Sequence, residues 1–101
     1  MLFEMLVGLE VIDDDAYQAY RSAMKPILAG YGGSFGYDFK IAETLLSETP
    51  DNINRVFTIQ FPSMKIMDQF FSDPDYLSAK TKYFESSVRS TTILASYEKN
   101  I

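Results

Sequence analysis

The chain has 101 residues and a formal net charge of −5, and it contains neither cysteine nor histidine. Hydrophobic residues make up 47% of it, enough for the core of a single domain over residues 1–101. Without cysteine and histidine, disulfides, thiolate nucleophiles and the common ligands of zinc and haem are excluded, and we expect no metal and no cofactor. No concentrated basic surface is visible, which argues against nucleic acid as a partner.

The first predicted element is a β-strand over residues 2–12, where hydrophobicity alternates with a period of two. Its buried side would consist of Phe3, Met5, Val7, Leu9 and Val11. Glu4 and Glu10 interrupt the other side, and no basic segment precedes the strand. The N-terminus is therefore neither a signal peptide nor a membrane span, so we expect a cytoplasmic protein that does not associate with membranes.

A helix follows, from the aspartates at positions 13–15 to about Ala29. One aspartate caps the helix, and the others lie favourably at its positive end. Gly30 and Gly32 end the helix and turn the chain. Helical spacing predicts an apolar stripe composed of Tyr17, Tyr20, Met24, Ile27, Leu28 and Tyr31.

The second half of the chain contains two more helical segments between strands. A strand over 34–46 is predicted to have Phe35, Tyr37, Phe39 and Ile41 on one face, with Asp38 and Lys40 on the other. A loop over 47–54 leads to a strand over 55–61, Ser63 caps a helix through Phe71, and Asp73-Pro74 begins a helix to about Val88. We expect Lys80 and Lys82 on its solvent side, and a last strand over 91–98.

This order of elements, βαββαβ, is the ferredoxin-like split βαβ pattern of the α+β class. It predicts a four-stranded antiparallel sheet with helices on one face. The opposite face is too apolar to remain exposed to water, since it carries Leu6, Gly8, Ile12, Val56, Thr58, Thr92 and Leu94. We therefore expect a homodimer in which this sheet face packs on a copy of itself about a two-fold axis.

Five short motifs, in this order and spacing, make the sequence resemble the bacterial family called domain of unknown function 1330. They are Tyr17-x-x-Tyr20, Pro26-Ile27-Leu28, Tyr31-Gly32-Gly33, Phe61-Pro62-Ser63 and Asp73-Pro74-Asp75-Tyr76. The resemblance implies a dimeric α/β barrel. That superfamily also includes cofactor-independent monooxygenases, small isomerases, haem enzymes and ligand-sensing modules, whereas the family itself has no agreed activity.

The candidate ligand-pocket residues are Tyr17, Tyr20, Tyr31, Gln60 and Tyr76. The four tyrosines could line a pocket between the helices and the sheet, with a few hydroxyl groups among apolar walls. Gln60 adds a polar group to the expected barrel face. Alternatively, the tyrosines are core residues that bury their rings and leave each hydroxyl at the rim.

The leading functional hypothesis is a homodimeric protein that binds a small molecule of unknown identity. One alternative is a cofactor-independent monooxygenase or isomerase acting on a small aromatic or carbonyl compound through Tyr20, Tyr76 or a buried glutamate. Another is a structural or regulatory interaction module whose pocket is filled. Glu4 and Glu10 are interpreted as rim or interface residues, paired with Lys40 or Arg55 across the sheet.

Overall fold

A computed structural model of the protein describes residues 1–100. The strands are β1 (Leu2–Val11), β2 (Ser34–Lys40), β3 (Arg55–Phe61) and β4 (Val88–Lys99). The helices are α1 (Asp14–Gly30), α2 (Met64–Phe71), α3 (Pro74–Ala79) and the single turn α4 (Glu85–Ser87), with a π-helical turn at Lys80–Phe84 between the last two. Within residues 1–100, no helix is long and apolar enough to cross a membrane.

The four strands form one antiparallel sheet in the order β2-β3-β1-β4. Strands β1 and β3 occupy the centre because their alternating patterns allow one whole side of each to be buried. The predicted α+β architecture with a four-stranded antiparallel sheet is confirmed.

Each of the longer helices begins at a side chain that caps its first turn. Asp13 accepts a hydrogen bond from the amide of Ala16 at 3.0 Å, and Ser63 accepts one from the amide of Ile66 at 3.2 Å. Asp73 caps α3 directly before Pro74, which is tolerated in the first turn because its missing amide would be unbonded there anyway. The sequence predicts Ser63 as a cap, one of the aspartates at positions 13–15 as another, and a helix start at Asp73-Pro74; the structure identifies Asp13 as the first cap.

The sheet has two different faces, which we name by their residues. The covered face (Val7, Leu9, Phe57, Ile59 and Phe61) packs on the helices and forms the core with Tyr17, Met24, Leu28 and Phe70. The bare face (Leu6, Gly8, Phe39, Val56, Thr58 and Gln60) has no helix over it among residues 1–100. Ile53 packs over Gly8 at one end of the bare face, where an added Cβ would lie 3.0 Å from it.

Strand β2 differs from the sequence prediction in both length and side-chain orientation. It ends at Lys40, and the register slips between Phe35 and Asp38, where the amide of Tyr37 donates to Oγ1 of Thr58 at 2.8 Å. Two residues of β2 therefore oppose one of β3, as in a β-bulge. The slip leaves Phe35 on the covered face and turns Asp38 towards α1, so the prediction of a single aromatic face from Phe35 to Ile41 is wrong.

Candidate functional site

A cavity of about 240 Å³ lies between the covered face and the helical layer. Strands β1, β3 and β4 form its floor, and α1, α3 and the π-helical turn form its roof. Its walls are mainly apolar, with Met5, Val7 and Ile59 from the sheet and Met24, Phe71 and Phe84 from the helical side. A cavity between two packed layers, with few polar groups, is the usual form of a small-molecule site.

Tyr17, Tyr20 and Tyr76 all line this cavity. Tyr17 and Tyr20 belong to the buried stripe of α1, and Tyr76 lies on α3, which packs against it. The hydroxyl oxygens of Tyr20 and Tyr76 are hydrogen-bonded to each other at 2.9 Å. Desolvation by burial raises the pKa of both phenols, so at neutral pH they are uncharged groups that donate and accept hydrogen bonds.

Arg21 places a positive charge beside the aromatic wall of the cavity, although its side chain is almost entirely buried. Its guanidinium carbon lies 4.0 Å from the ring centre of Phe35 and 4.7 Å from that of Phe57. Its Nε donates a 2.8 Å hydrogen bond to the hydroxyl of Tyr17. Aromatic faces stabilise a desolvated guanidinium, which explains how the α1 stripe accommodates a cation.

Asp38 joins Arg21 to Arg55 of β3. Its carboxylate accepts two short hydrogen bonds from Arg55, at 2.7 and 2.8 Å, and two longer ones from Arg21, at 3.2 and 3.5 Å. Desolvation raises the pKa of Asp38, but the hydrogen bonds and charges of the two arginines outweigh it and hold the pKa below its ordinary value. The carboxylate is therefore ionised at neutral pH and fixes the orientation of Arg21.

Lys80 also lines the cavity, contrary to the prediction of a solvent-facing residue. It begins the π-helical turn, in which the backbone is wider than in an α-helix and the side chains no longer follow the 3.6-residue period. The same turn places Phe84 in the cavity wall, against the ring of Tyr20 at a centroid distance of 4.9 Å. Helical spacing already relates these residues, because Tyr76, Lys80 and Phe84 follow one another at intervals of four.

The two other candidate residues lie away from the cavity lining. Tyr31 caps the end of α1, where its hydroxyl donates a 2.7 Å hydrogen bond to Asp73 and its ring contacts Phe70. Gln60 lies on the bare face and donates a 2.8 Å hydrogen bond from Nε2 to Glu4. The structure thus brings together Tyr17, Tyr20 and Tyr76 and separates them from Tyr31 and Gln60.

Glu4 is buried on the bare face by its cross-strand neighbours. It pairs in register with Gln60 of β3 and Tyr97 of β4, and it accepts hydrogen bonds from both side chains and, at 3.4 Å, from Lys99. The hydrogen bond from Tyr97, helped by those from Gln60 and Lys99, lowers the pKa of Glu4 despite its desolvation. Glu4 is thus an ionised, fully bonded group remote from the cavity.

The predicted partners of the two glutamates are wrong. Glu10 contacts Arg89 at 3.4 Å, while Lys40 contacts Asp14 and Arg55 contacts Asp38. The bulge in β2 turns Lys40 to the helix side of the sheet, and Arg55 lies on that side because it pairs in register with Leu9, so neither residue faces Glu4 or Glu10. Within residues 1–100, no cluster of three or more carboxylates is placed to hold a metal ion.

Sequence reasoning overlooked Arg21, although a signal for it exists. Arg21 follows Tyr17 by four residues and precedes Met24 by three, so it lies on the apolar stripe of α1. A charged residue within such a stripe needs a buried partner. Its partner, Asp38, could not be identified in advance because the β2 bulge decides which face that residue occupies.

Similar folds occur in several solved structures. A protein of unknown function from Rhodopseudomonas palustris has a TM-score of 0.80 at 19% identity, covering 99% of this chain and 83% of its own. A DABB-family protein with a ferredoxin-like fold from Mesorhizobium loti has a TM-score of 0.67 at 12% identity, with coverage of 98% and 97%. A dimeric protein of unknown function with a ferredoxin-like fold from Bacteroides fragilis has a TM-score of 0.61 at 15% identity, with coverage of 97% and 96%.

These similarities confirm the ferredoxin-like fold that the sequence predicts. No match was found among curated protein sequences. Residues 5–97 match the sequence family described as domain of unknown function 1330, in agreement with the resemblance carried by the tyrosine and proline motifs. The chain therefore belongs to the domain of unknown function 1330 family.

Proposed function

We propose that this protein is a homodimer whose protomers each bind a small, mainly apolar molecule in the cavity between the covered face and the helices. The observation that carries the binding proposal is the cavity itself. An apolar protein cavity of about 150 Å³ can bind benzene. At about 240 Å³, this cavity has room for one aromatic ring with a substituent.

The polar groups at the cavity favour a binding site over a packing defect. The hydroxyls of Tyr20 and Tyr76 form a hydrogen-bonded pair in its wall, and Arg21 is held in place by Tyr17 and Asp38. A void left by poor packing would have apolar walls and would destabilise the protein. A module whose pocket is filled, the interaction-module alternative, would have no such space.

Binding is proposed ahead of catalysis because of the state of the candidate bases. Tyr20 and Tyr76 have raised pKa values, so they are poor proton acceptors at neutral pH. Glu4 is on the opposite face of the sheet, and the cavity-lining residues among positions 1–100 include no carboxylate. These groups can orient a ligand by hydrogen bonds and charge.

The binding proposal can be tested with benzyl alcohol as a neutral probe, by isothermal titration calorimetry. Ile93→Trp adds bulk at the cavity edge, where Ile93 is 49% exposed and tolerates substitution. Leu77→Trp on α3 is the matched control, since Leu77 is 43% exposed and outside the lining. We expect saturable binding by the wild type and by Leu77→Trp, and loss of it in Ile93→Trp. Equal binding by all three proteins would contradict the location of the site, and a wild type that binds neither benzyl alcohol nor the charged probe benzoate would contradict the proposal.

The homodimer part of the proposal is supported by the apolar groups of the bare face. Tyr37 and Phe39 stack on each other at a centroid distance of 5.8 Å and are each more than half exposed. Leu94 lies at the irregularity of β4, next to Ala95, which pairs with Leu6 of the bare face. Exposed apolar groups on a sheet face without a covering layer indicate an association surface, and a two-fold axis allows such a face to pack on a copy of itself.

We expect Leu94→Asp to convert the dimer to a monomer, because a charge would then be buried without a partner. Leu77→Asp on the outer side of the helices is the control, as the two leucines are 46% and 43% exposed. Size-exclusion chromatography with light scattering gives the mass directly. A dimeric Leu94→Asp variant, or a monomeric wild type, would contradict association through the bare face.

A further inference from the structure

The charge of the cavity differs in sign from that of the whole protein. The chain carries a net charge of −5, yet the charged side chains that line the cavity, Arg21 and Lys80, are both positive. The described lining residues contribute no carboxylate. A ligand in the cavity is therefore exposed to a positive potential, and apolar walls strengthen it because they screen less than water does.

Asp38 neutralises only part of the positive charge near Arg21. One carboxylate serves two guanidinium groups, and its short contacts go to Arg55, at 2.7 and 2.8 Å. The contacts to Arg21 are 3.2 and 3.5 Å. The three groups together carry one net positive charge, and Arg21 is the one of them that lines the cavity.

Lys80 supplies a second positive charge from the helical side. It forms no ion pair with a described residue, whereas Arg21, Lys40, Arg55, Arg89 and Lys99 all do. It follows Tyr76, another lining residue, by four residues, so both side chains lie on the same side of the helix. The long apolar stem of a lysine can follow the cavity wall while its ammonium group remains available to a ligand.

Aromatic rings form much of the wall, including Phe35, Phe57, Phe71 and Phe84. Rings of this kind pack favourably on a flat ligand. We infer that the cavity selects a flat aromatic molecule with one carboxylate group, held by Arg21 and Lys80 and oriented by the hydroxyls of Tyr20 and Tyr76. This inference rests on the proposed binding function and adds the class of ligand.

The experiment compares benzoate with benzyl alcohol, which has a ring of the same size but no charge. Binding of each probe is measured by titration calorimetry in the wild type and in Lys80→Met, which keeps an unbranched side chain without the ammonium group. Lys80→Arg restores a positive charge, and Lys82→Met removes an exposed lysine two residues away that is absent from the lining. Circular dichroism verifies that each variant is folded.

We expect the wild type to bind benzoate at least about tenfold more tightly than benzyl alcohol, the size of effect that a charge-assisted contact gives. Lys80→Met should lose most of this preference, while Lys80→Arg and Lys82→Met should retain it. Equal affinity for the two probes in the wild type would overturn the inference and leave the binding function intact. Binding of neither probe would overturn the binding function itself, and an unchanged preference in Lys80→Met would overturn the assignment of Lys80.

Discussion

The two faces of the sheet bury their residues by different means. On the covered face, rings and aliphatic side chains close against the helices, and Phe61 and Phe70 are completely buried. On the bare face, Glu4 is 4% exposed because its own cross-strand neighbours surround it with hydrogen bonds. Burial on one face is thus produced by a second layer of structure, and on the other by side chains of the sheet itself.

The charges follow the same division. On the covered side of the sheet, the positive groups at the cavity come from the helical layer, with Asp38 between Arg21 and Arg55, while Glu4 on the bare face is neutralised by Lys99. The cavity lies against the covered face. The proposed ligand binding thus belongs to the covered face and the proposed association to the bare face, and the following changes test that division.

The largest effect is expected in the core of the covered face. Phe61→Ala removes a ring that is 0% exposed and packs on Phe70 and Phe71 at centroid distances of 5.6 and 5.7 Å. Loss of the ring and the cavity left behind should lower the free energy of unfolding by about 3–5 kcal/mol. Urea denaturation measures it. Leu77→Ala, at a half-exposed position, should change it by less than about 1 kcal/mol, and equal losses would contradict this description of the core.

The next largest effect is expected at Asp38. Asp38→Asn leaves the buried guanidinium of Arg21 without a carboxylate, which should lower the free energy of unfolding by about 2 kcal/mol at neutral pH, less than for a fully buried pair. Asp14→Asn is the control, because its 3.8 Å contact with Lys40 joins two exposed side chains and should contribute nothing measurable.

The same variant should change the dependence of stability on pH. The pKa of Asp38 is lower in the folded protein than its ordinary value of 3.8, so folding favours the ionised form. The stabilisation is complete above pH 3.8 and is lost as the pH falls through the lower folded value. Asp38→Asn should therefore lose less stability below about pH 4 than the wild type does. If the free energies of unfolding of the two proteins fell equally with decreasing pH, the ion pairs of Asp38 with Arg21 and Arg55 would not contribute to stability as described.

On the bare face, we expect a loss of stability when a side chain is added next to Glu4. A Cβ at Gly36 would lie 2.6 Å from Oγ1 of Thr58 and 3.1 Å from Nε2 of Gln60, so Gly36→Ala must displace the groups around Glu4. Overpacking of this kind lowers the free energy of unfolding by about 1–3 kcal/mol. Gly30→Ala meets no atom within 4 Å and should be neutral or slightly stabilising. Equal tolerance of the two changes in thermal unfolding would refute the tight packing around Glu4.

The smallest effect is expected for the hydroxyl pair in the cavity wall. Tyr20→Phe removes the 2.9 Å hydrogen bond to Tyr76 and leaves one buried hydroxyl without that partner, for a loss of about 1 kcal/mol. Tyr76→Phe should act similarly. The double variant should lose less than the sum of the two single changes, since one hydrogen bond links them. Strict additivity would contradict the pairing.

The sequence predicted correctly those features that depend only on residues within a single helix or strand. Alternation in β1 and β3 and the capping residues Asp13 and Ser63 are local features, so they predicted the elements correctly and, through their order, the fold. The bulge in β2 depends on Thr58 of the neighbouring strand, whose hydroxyl oxygen accepts a hydrogen bond from the amide of Tyr37. No pattern within β2 contains that information, which is why Phe35 was wrongly predicted to share a face with Tyr37 and Phe39.

The candidate site could be predicted only in part for the same reason. Tyr17 and Tyr20 are three residues apart on one helix, so helical spacing placed them on one stripe. Tyr31 continues the spacing of that stripe but follows the end of α1, where the backbone is no longer helical. Asp38 reaches Arg21 through the β2 bulge, an irregularity that depends on a contact with the neighbouring strand.

The methionine methyl groups offer the most direct measurement of where a small molecule binds. Met5 and Met24 line the cavity, whereas Met1 and Met64 are exposed elsewhere on the surface. We would titrate protein labelled with ¹³C at the methionine methyl groups with benzyl alcohol and record methyl chemical shifts. Binding in the cavity predicts saturable shifts for Met5 and Met24 with none for Met1 and Met64, whereas unchanged shifts for Met5 and Met24 would contradict the assignment of ligand binding to the covered face.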